Sequence, residues 1–393
     1  MNNGKYVFAQ IFDLVSSFDF DRCVKLYKGD YRIKTFSCWE QFLIMSFAQF
    51  SYRESLRDIE SCLISVQMKL YHCGIRSGIA KSTIADANER RNYRIYADFA
   101  QGLMKTALPL YKGENALSKE LGSIVYAFDS TTIDLCLNLF PWATFRKTKS
   151  AVKMHVLLNI DGSIPEFVSI TKGNVQDVRM LDNISFRSGC FYLVDKAYMD
   201  FERLYRIEKS KAFFVTRAKE NMSYSIEREN AINDSASVLK DELVKLKRWH
   251  TRRWYPVGIR RIEYIDSATE LKLTFLTNNM DLPAEIIARL YKERWRVELF
   301  FKWIKQNLRI KKFYGYSDNA VKTQLWIAVC DYLLIAILKK NLKLQMTFNQ
   351  MLQILSINLF EKEDIRYLFK TTKGEETKVI SNQGTLFEML TGQ

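Results

Sequence analysis

Two short apolar runs that each close on an aspartate constrain the fold of this chain more than any other feature. They span residues 123–129 and 190–195 and end at Asp129 and Asp195. Their length and composition predict buried β-strands. An aspartate at the end of a buried strand is unfavourable unless a cation or hydrogen bonds satisfy it. A single case would ordinarily be a turn former or a helix cap.

The elements around these runs follow a recognisable order. Residues 153–160 and 164–171 predict a hairpin with Asp161 and Gly162 in its turn. Helices are expected at 178–184 and 198–210, and a strand at 212–217. Three strands, helix, strand, helix, strand is the order of a ribonuclease-H-like core. Two strand-terminal aspartates in this topology favour a shared metal ion over two separate caps.

The flanking regions have other patterns, and together they predict a mixed α/β (α+β) protein. Residues 1–115 predict a helical N-terminal domain that binds DNA, with Ser82 as the N-cap of one helix. The catalytic core is expected at 116–217 and 281–318. Residues 218–280 predict a β-rich insertion with strands at 259–265 and 271–276. The region 319–393 predicts C-terminal helices that could form a dimer surface.

A long helix is predicted from Pro283 to about residue 308. Along it Tyr291, Arg294, Glu298 and Lys305 fall within an arc of roughly 60° at about 100° per residue. Lys302 lies near the same stripe, so one helix face presents a phenol, a guanidinium, a carboxylate and ammonium groups. The alternative is an ordinary solvated helix face.

The net charge indicates a polyanionic partner. The chain has 59 Lys and Arg against 44 Asp and Glu, a net charge of +15 and a pI near 9.3. An excess of this size favours nucleic acid over a membrane surface as the partner. The alternative is a protein that is basic without a polyanionic ligand.

Cysteines and histidines argue against a disulfide framework and against a zinc site. Seven cysteines are scattered without a C-x-x-C pair, and three histidines lie far apart. The longest apolar run, 323–338, is interrupted by Asp331 and predicts a buried helix. No signal-peptide pattern is seen at the N-terminus. We expect a cytoplasmic protein without a membrane partner.

Three basic clusters are candidate DNA contacts, and each has a solvated or structural alternative. The insertion carries Lys245, Lys247, Arg248, Arg252, Arg253, Arg260 and Arg261 interleaved with Trp249, Trp254 and Tyr255. Cations neutralise DNA phosphates and aromatic rings stack on unpaired bases. The alternative is a β-hairpin with an aromatic core side and a charged outer side. The other clusters are Arg146, Lys147, Lys149 and Lys153, and the N-terminal Arg90, Arg91 and Arg94.

These residues resemble the motifs of a known family. The run Tyr291-x2-Arg294-x3-Glu298-x6-Lys305 matches the Y-R-E-K signature of a large group of bacterial insertion-sequence transposases. The same group's motifs are similar to Asp129-Ser130-Thr131, Asp195-Lys196-Ala197-Tyr198, the segment 173–177 that ends at Asp177, and Thr277-Asn278. The resemblance covers about residues 120–335.

The resemblance implies a DDE transposase that cuts DNA at insertion-sequence ends and joins them to target DNA. Asp129, Asp195 and Glu298 would be the catalytic carboxylates and would hold two Mg²⁺ or Mn²⁺ ions. DNA phosphates would be held by Tyr291, Arg294 and Lys305. Apart from the resemblance, Lys302 near the same stripe and Trp254, Arg252 and Arg253 of the insertion are further candidate DNA contacts. The partners would be double-stranded DNA, with terminal inverted repeats and a target, and a second copy of the chain. A non-transposing metal-dependent nuclease and a DNA-binding protein derived from a transposase remain as alternatives.

Overall fold

A ten-stranded mixed sheet organises the residues that the computed structural model describes, which are 4–76, 79–146, 148–232, 237–308 and 312–369. The strand order is β2-β3-β1-β5-β6-β10-β9-β8-β7, and β4 also pairs with β3. The strands are β1 Val125–Leu135, β2 Thr144–Arg146, β3 Lys149–Asn159, β4 Ile164–Lys172, β5 Phe191–Val194, β6 Phe213–Arg217, β7 Tyr224–Glu229, β8 Val238–Leu246, β9 Ile259–Ile265 and β10 Lys272–Thr277.

Five of these strands form the predicted ribonuclease-H-like core. They run in the order β4-β3-β1-β5-β6. The β1–β3 and β3–β4 pairs are antiparallel, whereas β1–β5 and β5–β6 are parallel. Parallel neighbours need a crossover connection, and α9 (Phe201–Lys209) supplies the one between β5 and β6. The predicted fold class is confirmed.

The predicted hairpin between β3 and β4 is present, and its turn requires glycine. Gly162 has φ +67°, and a Cβ built there would stand 1.9 Å from the ring of Tyr111. A side chain at this position would therefore have both backbone strain and a collision with a helix of the neighbouring layer.

Three predicted elements differ from the structure. β1 does not end at Asp129 but continues to Leu135, because it goes on pairing with β3 after its pairing with β5 stops at Phe128 and Val194. The helix predicted at 178–184 is the 3₁₀ helix Asp177–Asn183. The helix predicted from residue 198 begins only at Phe201, after a 3₁₀ turn at Lys196–Tyr198.

The insertion extends the core sheet. β10 pairs antiparallel with β6, and β9, β8 and β7 follow outward, so the two strands predicted in this region are confirmed. Arg260 and Arg261 are buried here rather than exposed. Arg260 donates to both carboxylate oxygens of Asp241 (2.9 and 2.6 Å), and Arg261 bonds Glu242. Their prediction as DNA contacts is wrong, because both guanidiniums are committed to ion pairs inside the sheet.

Helices cover the sheet. They are α1 Val7–Phe12, α2 Ser17–Leu26, α3 Cys38–Phe50, α4 Leu56–Ser65, α5 Gln67–Leu70, α6 Lys81–Arg90, α7 Arg94–Tyr111, α8 Ala116–Leu121, α9, α10 Trp249–Trp254, α11 Ala284–Glu293, α12 Trp295–Asn307, α13 Asp318–Asn341, α14 Phe348–Asn358 and α15 Ile365–Leu368. α13 packs on α7, α3 and α6, and both α7 and α13 reach β4. One hydrophobic core joins these helices to the sheet. Packing is therefore continuous across the predicted boundaries near 115 and 319.

The N-terminal helices correct two sequence predictions. α6 begins at Lys81, and its N-cap is Ala80 without a side-chain hydrogen bond, so Ser82 is not the cap. Arg91 is buried and donates to the carbonyl of Ser37 and to Gln41, which makes it part of the helical core rather than a DNA contact.

α13 is the one helix among the described residues that is long and apolar enough to cross a bilayer, and 94% of its apolar window is buried inside the protein. That burial is the setting of a core helix, as the sequence predicted for 323–338. Asp331 within it is fully buried, and this burial raises the pKa of Asp331 well above its ordinary value.

The buried Arg260–Asp241 pair gives a prediction for stability. Arg260→Met leaves the buried Asp241 carboxylate without its cation, and we expect the free energy of unfolding to fall by about 3–5 kcal/mol. Urea denaturation measures this change. The matched control is Arg289→Met, which breaks the exposed pair with Glu120 and should change stability by less than about 1 kcal/mol. Equal losses in the two variants would contradict the structural role of Arg260.

Candidate active site

Asp129 and Asp195 point to the same side of the sheet. Side chains alternate between the two faces of a strand. Asp129 lies two residues after Ala127, and Asp195 lies two residues after Leu193, and both Ala127 and Leu193 are buried in the core that includes α11 and α12. Because β1 and β5 are parallel neighbours, the two carboxylates emerge side by side beneath these helices.

The helix that carries the third carboxylate is interrupted at Arg294. The single helix predicted from 283 to 308 is wrong. The Arg294 N–H donates to the Tyr291 carbonyl (3.1 Å) and the Val297 N–H donates to the Arg294 carbonyl (3.2 Å). These i→i+3 bonds tighten the chain locally and separate α11 from α12. Tyr291, Arg294 and Glu298 still face the sheet together.

Arg294 links the strand and helix carboxylates. Its Nη1 donates to Asp129 Oδ2 at 3.1 Å, and its Nη2 donates to Glu298 Oε1 at 2.6 Å. Because both bonds come from one planar guanidinium, the two carboxylates face each other across a single side chain. Tyr291 Oη donates to Asp195 Oδ1 at 3.3 Å, and the Arg294 guanidinium lies over the Tyr291 ring at 5.6 Å. The fold thus brings together five residues from three separate stretches of the sequence.

The electrostatics of this group are those of a buried anionic site held by one cation. Burial raises the pKa of Asp129 to about 6, against the opposing effect of Arg294. Burial also raises the pKa of Glu298. Burial disfavours the charge on Arg294, but Tyr291 and the facing carboxylates outweigh this effect and raise the pKa of Arg294 above its ordinary value.

The carboxylate oxygens of this site are suitable ligands for a hard divalent cation, although in this structure the Arg294 guanidinium lies between two of the carboxylates. Carboxylate oxygens are the protein ligands that Mg²⁺ prefers. Within the described parts of the chain, no three His, Cys, Asp or Glu side chains stand close enough to hold a metal ion together. Arg294 lies between Asp129 and Glu298, and its buried Nε has no hydrogen-bond partner. The guanidinium therefore supplies the positive charge that these carboxylates need when no metal is bound.

A cleft of about 490 Å³ opens beside these carboxylates. It is lined by Asp129, Ser130, Thr131, Glu298, Phe301, Lys302, Lys305 and Gln306. Lys302 is exposed in it, and Lys305 donates to the Thr132 carbonyl at 2.9 Å, which ties α12 to β1. Glu298, Lys302 and Lys305 of the predicted stripe therefore line a groove with both signs of charge.

The other predicted DNA contacts lie elsewhere. Arg252, Arg253 and Trp254 are exposed on α10, which packs on α9 and β8, and Trp254 is 46% exposed. Trp249 is also exposed, whereas Tyr255 is buried in the core and its prediction as a stacking residue is wrong.

The second and third basic clusters are only partly exposed. Arg146 and Lys149 are exposed at the β2–β3 turn, and Lys147 lies outside the described residues. Lys153 is buried in an ion pair with Asp177, so its prediction as a DNA contact is wrong. Arg90 and Arg94 are exposed at the end of α6 and the start of α7.

Sequence reasoning did not identify a polar cluster behind Asp129. Ser130 Oγ donates to Asp177 Oδ1 at 2.8 Å, and Lys153 Nζ donates to Asp177 Oδ2 at 3.0 Å. His155 lies 3.7 Å from the same carboxylate. The sequence does contain a signal for this cluster: polar residues recur at alternate positions of two strands that are otherwise apolar.

A ribonuclease-H-like sheet with carboxylates from two adjacent strands and a later helix is the arrangement expected of a DDE enzyme. Comparison with known proteins agrees. Residues 120–334, more than half of the chain, match the family model described as the transposase DDE domain. Residues 3–76 match a model described as a domain of unknown function, DUF4372.

Relatives with similar sequences are named as transposases. The chain is 35% identical over 286 residues to y4zB of Sinorhizobium fredii, which is named as a transposase, and the match covers 72% of this chain and 78% of that protein. It is 31% identical over 221 residues to a Geobacillus stearothermophilus protein named as the transposase for insertion sequence element IS5377, with 55% and 57% covered. A Synechocystis protein named as the transposase for IS4SA is 22% identical over 268 residues, with 65% and 71% covered.

The chain therefore belongs to the transposase DDE family. The predicted resemblance to insertion-sequence DDE transposases is confirmed, and with it the DNA transposase function.

The raised pKa of Asp129 predicts how the stability of metal-free protein depends on pH. A folded-state pKa near 6, above the ordinary 3.8, means that the folded protein holds this proton more tightly than the unfolded chain. The stabilisation that protonated Asp129 gives the folded protein is then fully present at low pH and is lost as pH rises through about 6. Relative to Asp129→Asn, the wild type should lose up to about 3 kcal/mol between about pH 4 and pH 7.

Urea denaturation with a metal chelator, at several pH values, measures this difference. The Asn variant serves as the reference because it cannot ionise at this position. A difference between the two proteins that stays constant across the range would contradict the burial of an ionisable Asp129.

Proposed function

We propose that this transposase cuts DNA at the ends of its insertion sequence and joins them to target DNA, with Asp129, Asp195 and Glu298 as ligands of two Mg²⁺ or Mn²⁺ ions. The observation that carries the proposal is the Arg294 guanidinium bonded to Asp129 and Glu298 at once, beside Asp195. Buried carboxylates that face one another across a shared cation need that positive charge, and a divalent ion can supply it.

Each residue of the site has a distinct task. Two divalent ions, when bound, would activate the attacking water or 3′-hydroxyl and stabilise the leaving oxygen. Arg294, once it releases the carboxylates, can grip a phosphate through paired N–H donors. Lys302 and Lys305, at the cleft, can attract the phosphate backbone as point charges. Tyr291 holds Asp195 and stacks on Arg294, so it orients both groups.

DNA binding is proposed to extend beyond the cleft. The exposed side chains of α10, with Arg252, Arg253 and Trp254, combine cations with an aromatic ring that can stack on an unpaired base. The N-terminal helices are proposed as a second DNA-binding region. Supporting this, α2 and the loop after it expose Lys25, Lys28, Arg32 and Lys34. Two copies of the chain would act on paired ends of the element, in the bacterial cytoplasm.

Strand cleavage of element-end DNA tests the carboxylates. Asp129→Asn, Asp195→Asn and Glu298→Gln each remove a charged metal ligand but keep its shape. We expect each to lower the Mg²⁺- or Mn²⁺-dependent cutting rate by at least about a hundredfold, because the ions lose a ligand. DNA affinity, measured by fluorescence anisotropy, should be retained.

The matched control is Glu285→Gln on the first turn of α11, outside the cleft, which should cut normally. Normal cutting by any of the three carboxylate variants would remove that residue from the site. Cleavage without joining of the 3′ ends to target DNA would favour a metal-dependent nuclease that does not transpose.

The salt dependence of binding tests α10. Arg252→Ala with Arg253→Ala should reduce the slope of log K against log salt by about 2, since each phosphate contact contributes about 1. Trp254→Ala should leave this slope unchanged but weaken binding to ends with unpaired bases by about 1–3 kcal/mol. Arg366→Ala, which removes an exposed guanidinium paired with the buried Asp364, is the control. An unchanged slope in the double variant would exclude α10 from the DNA surface.

A further inference from the structure

A polar cluster lies directly behind Asp129, on the opposite face of the sheet. Ser130 follows Asp129 in β1 and therefore points the other way. Opposite it on β3 stands His155, and Lys153 stands opposite Thr132. Next to this cluster the same sheet face is apolar, with Phe128 and Leu157 in its core. Polar side chains at this place need partners inside the protein.

Asp177 is the centre of this cluster. It is the first residue of the 3₁₀ helix that follows β4, and its carboxylate accepts hydrogen bonds from Ser130 Oγ (2.8 Å) and Lys153 Nζ (3.0 Å). His155 Nδ1 lies 3.7 Å from the carboxylate, and His155 Nε2 is bonded to Thr171 Oγ1 at 2.8 Å. Asp177 thus connects two strands of the sheet, β1 and β3, and the His155–Thr171 bond extends the cluster to β4.

The charged groups of the cluster are paired with one another inside the protein. The Lys153 side chain is 11% exposed, and its ammonium also donates to the Val175 carbonyl at 3.0 Å. Burial lowers the pKa of His155 to about 4, so Lys153 is the cation that faces Asp177 at neutral pH. An ammonium held in this way by two acceptors is poorly placed to bind DNA.

The cluster reaches Asp129 through one peptide. The Ser130 backbone N–H donates to Asp129 Oδ1 at 2.8 Å. β5 pairs with β1 only as far as Phe128, so in the described chain the peptide after Asp129 has a strand neighbour on the β3 side alone. The Asp177–Ser130 bond fixes this peptide from behind, and the peptide N–H in turn fixes one oxygen of the Asp129 carboxylate.

We propose that Asp177 is a positioning residue: acting through Ser130, it holds the Asp129 carboxylate in the rotation that presents Oδ2, the oxygen now bonded to Arg294, to a divalent cation. This inference rests on the proposed function, in which Asp129 is a metal ligand. It gives a role to the segment 173–177 that the metal ligands and DNA contacts leave unexplained. Residues that orient a metal ligand change metal affinity by about 10–100-fold when substituted.

Mn²⁺ binding to the full chain, followed by electron paramagnetic resonance without DNA, tests the proposal. Asp177→Asn and Ser130→Ala should each weaken Mn²⁺ binding by about 10–100-fold. The double variant should bind Mn²⁺ no more weakly than whichever single variant has the lower affinity, because Asp177 acts on Asp129 through Ser130 and the two losses are not additive. Ser130→Thr, which keeps the hydroxyl, should retain wild-type affinity.

The matched control is Asp182→Asn. Asp182 belongs to the same 3₁₀ helix, but its carboxylate pairs with Arg203 and Arg206 near the surface. Its substitution should leave Mn²⁺ affinity unchanged. Ser130→Ala keeps the Asp177–Lys153 ion pair, so it tests the route even if Asp177→Asn lowers the unfolding temperature.

Unchanged Mn²⁺ affinity in Ser130→Ala, or equal losses in Asp177→Asn and Asp182→Asn, would overturn the positioning role. Failure of the proposed function gives a different result. In that case Asp129→Asn would bind Mn²⁺ as tightly as the wild type does.

Discussion

The bond between Arg294 and two carboxylates is the interaction on which the site depends. Asp129 comes from the centre of the sheet and Glu298 from a helix above it, and one guanidinium holds both, at 3.1 and 2.6 Å. The arginine side chain is only 12% exposed. Two carboxylates brought together in a buried place repel each other and resist ionisation. The arrangement is therefore stable only with a cation between them, and the guanidinium provides one without a metal.

The rest of the fold positions the residues that form this contact. Parallel pairing of β1 and β5 sets Asp129 beside Asp195. The tight turn at Arg294 lets α11 and α12 present their polar residues to the same point, and the bond from Lys305 to Thr132 fixes α12 on β1. On the opposite face the Asp177 cluster supports the same stretch of β1. Asp129 is thus held between the Arg294 guanidinium on one side of the sheet and a polar cluster on the other.

Much of this could be predicted from the sequence, because the signals were local. Apolar runs that close on Asp129 and Asp195 indicated strands, and the spacing from Tyr291 to Lys305 indicated one functional helix face. The Arg294 interruption could not be predicted, since both halves have good helical patterns and tertiary contacts decide the break. Arg260 and Lys153 were misassigned for a related reason. A basic residue in a strand has the same sequence signature whether it faces DNA or a buried carboxylate, and only the fold shows that Asp241 and Asp177 stand opposite.

Crystals of the transposase with element-end DNA, grown with Mn²⁺, offer the most direct test of the central claim. Anomalous scattering would locate the ions without assumptions about their ligands. The account predicts Mn²⁺ bound by Asp129, Asp195 and Glu298, with Arg294 turned away from these carboxylates toward a DNA phosphate. Mn²⁺ bound elsewhere, with Arg294 still bonded to Asp129 and Glu298 in the DNA complex, would contradict it.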